Sequence, residues 1–285
     1  MTVQSNRIPV SRGLSGLRYI ISVLFKCLAI FIVAYPFLWV VLTAFKPYKE
    51  TVTYPPSFLP SRWTMEGMNQ CLEQIYIPHY LKNSLIVSFS VLFLQYLVIV
   101  PAAYAFARCR FLGKNLLFGI VLLGFMIPQQ VTFVPVYLWL SRQKMLQSYL
   151  PQILPFIANA FGIFLLRQYF MQIPEEIIES ARMDNASELK IITHVMIPMA
   201  KTAIFTIGLL SFISQWNSYF WPLIMTTKDT YRPLTIAVAS LKTVDGGVLW
   251  NKIMAGNLFL MGPIMLAYLI ANKQIRKAFV YSGIK

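Results

Sequence analysis

Hydrophobic runs of bilayer-crossing length recur along the whole of this 285-residue chain, and they leave few folds open to it. A helix needs about 20 consecutive, mostly apolar residues to cross the hydrocarbon core. Runs near 19–44, 84–107, 115–140, 150–169, 202–226 and 252–272 reach that length. Backbone polar groups in lipid must be satisfied within the element itself, so such runs form helices. The expected fold is all-α, a polytopic membrane protein with six transmembrane helices. Composition agrees, because 57% of residues are apolar and only 12% charged, against roughly one-quarter charged in an ordinary soluble domain. The fourth run carries Pro151, Pro155 and Asn159, and such breaks survive in lipid only where neighbouring helices or a cavity satisfy the freed backbone.

Basic residues favour the cytoplasmic ends of spans. With the N-terminus inside, fifteen of the Lys and Arg residues fall on the cytoplasmic side and ten outside. That modest bias favours cytoplasmic N- and C-termini over the reverse topology. The net charge of +15 suits basic flanks among anionic membrane lipids and needs no nucleic acid. Residues 1–17 form an N-terminal cytoplasmic arm, and 18–285 the transmembrane domain. Arg7, Arg12 and Arg18 before an apolar run imitate a signal peptide, but the run to Phe45 exceeds a signal core and Ala44-Phe45-Lys46-Pro47 is a poor cleavage site. The external segment Lys46 to Leu81 holds Pro47, Pro55, Pro56, Pro60 and Pro78. It is expected to be irregular, with a short helix near 64–74.

Catalytic chemistry finds little support. Cys27, Cys71 and Cys109 lie in or beside different segments without metal-ligand spacing. His79 and His194 fall on opposite sides of the membrane in this topology. Gly113-Lys114 imitates the end of a phosphate-binding loop, but Arg108 stands where that loop requires Gly, and Asn115 where Ser or Thr would bind magnesium. No metal and no cofactor site is expected on this chain.

Half of the ten acidic residues sit in one polar island between two hydrophobic runs, residues 174–198. Pro174 followed by Glu175 and Glu176 predicts a short helix beginning at the proline, with its acids against the positive end of the dipole. Asp184-Asn185 breaks it, since Asn tolerates the left-handed conformation. A second helix is expected from about Ser187 to Val195, ended by Pro198. The result is a helix-turn-helix elbow with Ala181 and Ala186 keeping the backbone close to the surface at the bend, a knob for a groove on another protein. An acidic amphipathic helix of this kind could also lie in the membrane interface.

Glu179-Ser180-Ala181-x-x-Asp184-Asn185-Ala186, followed by Ile197-Pro198, resembles the cytoplasmic coupling loop of carbohydrate-type ABC importer permeases. There the pattern is Glu-Ala-Ala-x-x-x-Gly leading to Ile-x-Leu-Pro. Ser180 replaces the family's second residue Ala, and Asn185 stands where Gly is usual. Both exchanges keep the small size or the positive-φ preference. The resemblance continues from about residue 80 through Asn83-Ser-Leu, Ala103-Tyr-Ala-Phe-Ala-Arg108, Ile127-Pro128-Gln129, Phe164-Leu-Leu-Arg167 and Trp216-Asn217-x-x-x-Trp221-Pro222. It is similar to the maltose-type permease that lacks a large periplasmic insert. The tail Phe279 to Lys285 is shorter than the family's glycine-rich ending.

The resemblance implies a permease subunit importing a sugar, an oligosaccharide or glycoside, by alternating access. It further implies a second related permease subunit, two ATPase subunits that bind ATP and Mg, and an extracytoplasmic solute-binding protein. A membrane-embedded enzyme acting on lipid or cell-wall intermediates, or an ATP-independent channel, are the alternatives. Polar residues inside the spans are candidates for the path: Gln129, Asn159, Trp216, Asn217 and Tyr219, with Gln95, Gln130, Gln215, Trp221 and Asn257 beside them. Amides can donate and accept at once and aromatic faces are apolar platforms, a pairing that suits a neutral sugar. Helix–helix hydrogen bonds use the same side chains.

Overall fold

The computed structural model describes residues 12–242 and 248–282. Residues 1–11 of the expected arm and Gly283-Ile284-Lys285 of the tail lie outside that range, and Arg12 onward is already helical. Secondary structure among the described residues is helical throughout: α1 (Arg12–Ala44), α2 (Tyr48–Thr51), α3 (Glu66–Gln74), α4 (Ile77–Arg108), α5 (Lys114–Met126), α6 (Gln129–Arg142), α7 (Leu150–Ile153), α8 (Ala160–Met171), α9 (Glu175–Met183), α10 (Glu188–Ile191), α11 (Ile197–Met199), α12 (Lys201–Trp216), α13 (Phe220–Met225), α14 (Leu234–Ser240) and α15 (Trp250–Ser282). Among the described residues four stretches are long and apolar enough to cross a membrane, or six if each of two bent helix pairs counts as one span.

Several spans depart from the expected continuous runs. The second begins at Ile77 rather than 84, because Pro78 sits in the first helical turn, where its missing N–H costs nothing. The third breaks at Ile127-Pro128 into α5 and α6, whose axes differ by 97°. Proline excludes the helical conformation from the residue before it, and Ile127 is extended with ψ of 118°. The fourth consists of α7, a 3₁₀ turn at Leu154–Phe156, and α8. The fifth stops at Trp216, and α13 follows after a break at 217–219. The sixth runs on to Ser282.

The chain divides into two compact units. The smaller comprises residues 1–71 and 246–258. Its least expected feature is Lys46, almost fully buried. The ammonium lies 4.7 Å from the centre of the Trp39 ring and donates to the Ser57 carbonyl. Asn251 donates to the Lys46 carbonyl at 3.3 Å, and Gly67 lies so close to the Asn251 backbone that a Cβ would stand 2.7 Å from it.

The larger unit comprises residues 72–245 and 259–285. Its core gathers Ile99 and Ala103 of α4, Leu166 and Phe170 of α8, Ile178 of α9, Ile191 of α10, and Ala203 and Ile207 of α12. Close crossing of α4 and α12 depends on Gly208. The Tyr96 hydroxyl donates to the Ile204 carbonyl at 2.6 Å and occupies the space where a Cβ on residue 208 would stand, 2.1 Å away. Gly208→Val is therefore expected to displace Tyr96, at a cost of about 1–3 kcal/mol for overpacking. A lowered melting temperature of the purified subunit in detergent checks this, and an unchanged one would show that the crossing relaxes freely.

Candidate functional site

The polar island folds into the expected elbow, with a geometry that explains its residue types. Pro174 stands just before α9 with ψ of 138°, so the helix begins at Glu175, one residue later than expected, and Glu175 and Glu176 occupy the first turn. At the other end Asn185 adopts φ of 55°. Its N–H donates to the Arg182 carbonyl at 2.9 Å, and the Ala186 N–H donates to the Ala181 carbonyl at 3.0 Å. Those two bonds are the Schellman closure of a helix C-terminus, in which the left-handed residue is usually Gly and sometimes Asn. Ser187 then caps α10, its Oγ accepting from the Lys190 N–H at 3.4 Å.

Ala181 and Ala186, expected as an outward knob, are half-buried and pack against the core cluster. Glu179, Ser180, Asp184 and Asn185 are exposed. The most exposed apolar side chains of the elbow are Met183 and Leu189, 83% and 71% exposed on either side of the turn, with Ile177 and Met199 less exposed beside them. Pro198 does not end the second arm. A π-helical turn at Ile192–Met196 leads into α11, which contains half-buried Ile197 and exposed Pro198. The chain bends by 82° only at Ala200. The wider turn resets the hydrogen-bond ladder just ahead of the proline, so the missing N–H falls in a first turn.

The C-terminal end of α4 holds both arms. Arg108, with its side chain 9% exposed, pairs with Glu175 at 2.7 Å, donates to the Phe170 carbonyl at 2.7 Å, and reaches the Ile173 carbonyl as well. One turn earlier, the Tyr104 hydroxyl donates to Glu188. Arg182 pairs with the same carboxylate at 3.1 Å. The Tyr104 bond first, then Arg182, holds the Glu188 carboxyl below its usual range.

The in-span candidates separate into two groups. Gln129, Asn159 and Tyr219 line a recess in the larger unit, together with Gln95, Gln130 and Gln215. Asn159 also caps α8, accepting from the Gly162 N–H at 2.9 Å. Trp216 and Asn217 do not line it. The Trp216 indole is buried and donates to the Leu260 carbonyl at 2.9 Å, and exposed Asn217 closes the end of α12. Sequence reasoning missed Ser211, Ser214 and Ser218, which line the recess beside Gln215. Their spacing of three, four and seven residues was the available signal of a polar helix face. His79 serves a different purpose, its Nε2 lying 3.1 Å from the Asp229 carbonyl. Asn83 donates to the carbonyls of Thr230 and Arg232, both at 2.9 Å, which pins that loop to α4.

Residues 98–241 match the family model for the binding-protein-dependent transport system inner membrane component. The chain is 33% identical over 206 residues to the sn-glycerol-3-phosphate transport system permease protein UgpE of Pectobacterium atrosepticum, covering 71% of this chain and 72% of that one. The corresponding protein of Salmonella typhimurium is 33% identical over 204 residues, covering 70% and 72%. The fold is similar to that of a chain from the crystal structure of a bacterial ABC transporter involved in the import of the acidic polysaccharide alginate. That likeness has a TM-score of 0.79 at 24% identity and covers 94% of this chain and 99% of the other.

Proposed function

Since this chain belongs to the binding-protein-dependent transport system inner membrane component family, we propose that it imports a sugar, an oligosaccharide or glycoside, by alternating access. Family membership makes it a multi-pass inner-membrane permease subunit that works with other ABC components. In our reading those components are a second related permease, two ATPase subunits that bind the ATP and Mg, and an extracytoplasmic solute-binding protein. The termini lie in the cytoplasm.

The observation that carries this reading is the elbow. Its turn is closed by Asn185 and its arms are clasped to α4, yet two large apolar side chains, Met183 and Leu189, point away from the core. Exposed apolar residues at the turn of a largely polar loop suit a protein–protein contact, and an ATPase can reach them only from the cytoplasm. Basic residues on the same side of the spans support that orientation.

Affinity purification of the tagged chain should bring down an ATPase subunit. In intact cells, a membrane-impermeant thiol reagent should label Ser57→Cys and spare Ser187→Cys, each in a cysteine-free background. Both positions are exposed, so accessibility reports sidedness alone. Labelling of Ser187→Cys without permeabilisation would overturn the orientation, and purification without any ATPase would remove the importer reading.

A further inference from the structure

Three breaks in the helices of the larger unit border one recess. Ile127 and Gln129 line it from the break between α5 and α6, Ala158 and Asn159 from the break before α8, and Ser218 and Tyr219 from the break after α12. Irregular backbone at membrane depth is tolerated where protein or a wet cavity satisfies its polar groups. The recess has two adjoining lobes of about 580 and 400 Å³ that share Gln129, Phe156, Ser214 and Gln215. Sites for small molecules span roughly 300–1,000 Å³.

The lining is apolar with uncharged polar groups set into it. Amides from Gln95, Gln129, Asn159 and Gln215 and hydroxyls from α12 lie among aromatic and aliphatic side chains, and among the described residues no Asp, Glu, Lys, Arg or His borders either lobe. A charged solute would meet no counter-ion there, and its lost hydration would go uncompensated. A hydroxyl-rich neutral solute meets groups that both donate and accept.

Gln95 adds an independent observation. The residue is 4% exposed, and its Nε2 donates to the Phe156 carbonyl at 2.7 Å. A carbonyl can only accept, so the amide nitrogen must face Phe156, and this leaves Oε1 without a partner. Buried acceptors are nearly always satisfied. An O–H donor entering the recess would complete this one.

We propose that the recess is a solute-binding segment of the transport path, built for an uncharged polyhydroxylated ring, with Gln95 and Gln215 as specificity-determining residues. This rests on the importer reading above. It separates this chain from the solutes named for its relatives, a phosphate ester and an acidic polysaccharide, because neither anion finds a cation in the lining.

The complete transporter, with its ATPase subunits and solute-binding protein, can be reconstituted in vesicles and offered two pools of labelled solutes. One holds neutral di- to tetrasaccharides, the other sn-glycerol 3-phosphate and alginate oligosaccharides. ATP-driven uptake should be confined to the neutral pool. Gln95→Leu and Gln215→Leu should each lower it about tenfold, the loss of one or two hydrogen bonds in the occupied recess, with ATPase co-purification unchanged. Gln95→Leu also frees the Phe156 carbonyl, so Gln215→Leu is the decisive variant if the first one misassembles; among the described residues no hydrogen bond engages the Gln215 amide. Uptake of the anionic pool alone, no uptake of the neutral pool by an assembled and ATP-hydrolysing complex, or unchanged uptake by Gln215→Leu would each overturn the proposal and leave the importer reading intact. A chain that recruits no ATPase at all would instead defeat that reading.

Discussion

Exchange of both Met183 and Leu189 for glutamate is expected to strip the ATPase subunits from the purified complex and abolish ATP-driven uptake, while the chain still reaches the membrane. Both side chains are largely exposed in the isolated subunit, so their loss removes little from its own packing. Surface substitutions away from buried networks usually change stability by only about half a kcal/mol. In a docked interface the balance differs. Each apolar anchor contributes about 1.5–3 kcal/mol on burial, and an unpaired carboxylate in its place adds a desolvation penalty. The combined loss corresponds to a weakening of at least about 100-fold. The Schellman closure and the contacts from Tyr104 and Arg108 are untouched by the exchange, so the elbow should keep its shape. The ratio of ATPase to permease after affinity purification measures the effect. A wild-type ratio would mean that the exposed tip is not the docking surface.

Much of this elbow is legible in the sequence because its signals are local. Proline ahead of paired acids, Asn at the reversal and Ser at the next helix start each act within one turn. The direction of Ala181 and Ala186 is not local. Small residues look like a surface feature in the sequence, whereas here they let the turn close against a core supplied by α4, α8 and α12. Prolines mislead for a related reason. Pro78 and Pro198 read as breakers, yet each falls in the first turn of a helical segment, and that depends on where the preceding segment stops. Span number follows from hydrophobic length, but span continuity depends on which backbone groups a neighbour or cavity can satisfy.

The recess shows the same limit. Trp216 and Asn217 draw attention as adjacent amide and aromatic groups, but neighbours on a helix point about 100° apart. Trp216 turns inward to the Leu260 carbonyl and Asn217 remains at the exposed helix end. Serines carry only a weak signal within a hydrophobic run, so the polar lining from Ser211 and Ser214 of α12 and Ser218 just after it stands out when Gln95 and Asn159 from other segments are seen beside it.

Loss of Arg108 should uncouple ATP hydrolysis from uptake rather than detach the ATPase. Its guanidinium reaches three things at once: Glu175 at the start of the first arm, and the Phe170 and Ile173 carbonyls at the end of α8. The Phe170 carbonyl lies in the last turn of α8, where it also accepts from the Ile173 N–H at 3.3 Å, and the Ile173 carbonyl follows just past the helix end. Together with the Tyr104–Glu188 bond, this ties α4 to α8 and to both arms of the elbow. The same α4 carries Gln95 into the recess, so a displacement of the elbow has a continuous helical path to the solute. Arg108→Ala removes hydrogen bonds from a charged donor, each contributing about 1.5–3 kcal/mol, and leaves the Met183–Leu189 tip intact. We expect ATPase co-purification near wild type, with the number of ATP molecules hydrolysed per solute imported raised about tenfold or more, a change that 1.4 kcal/mol suffices to produce. Arg108→Lys should fall between, since a lysine ammonium can keep the Glu175 contact but cannot span the fork of carbonyls. Tyr104→Phe tests the second tie alone and should raise the same ratio more modestly. If all three variants transport with the wild-type ratio, α4 does not carry the motion, and the link between elbow and recess must run through α12, which the chain enters directly after the bend at Ala200.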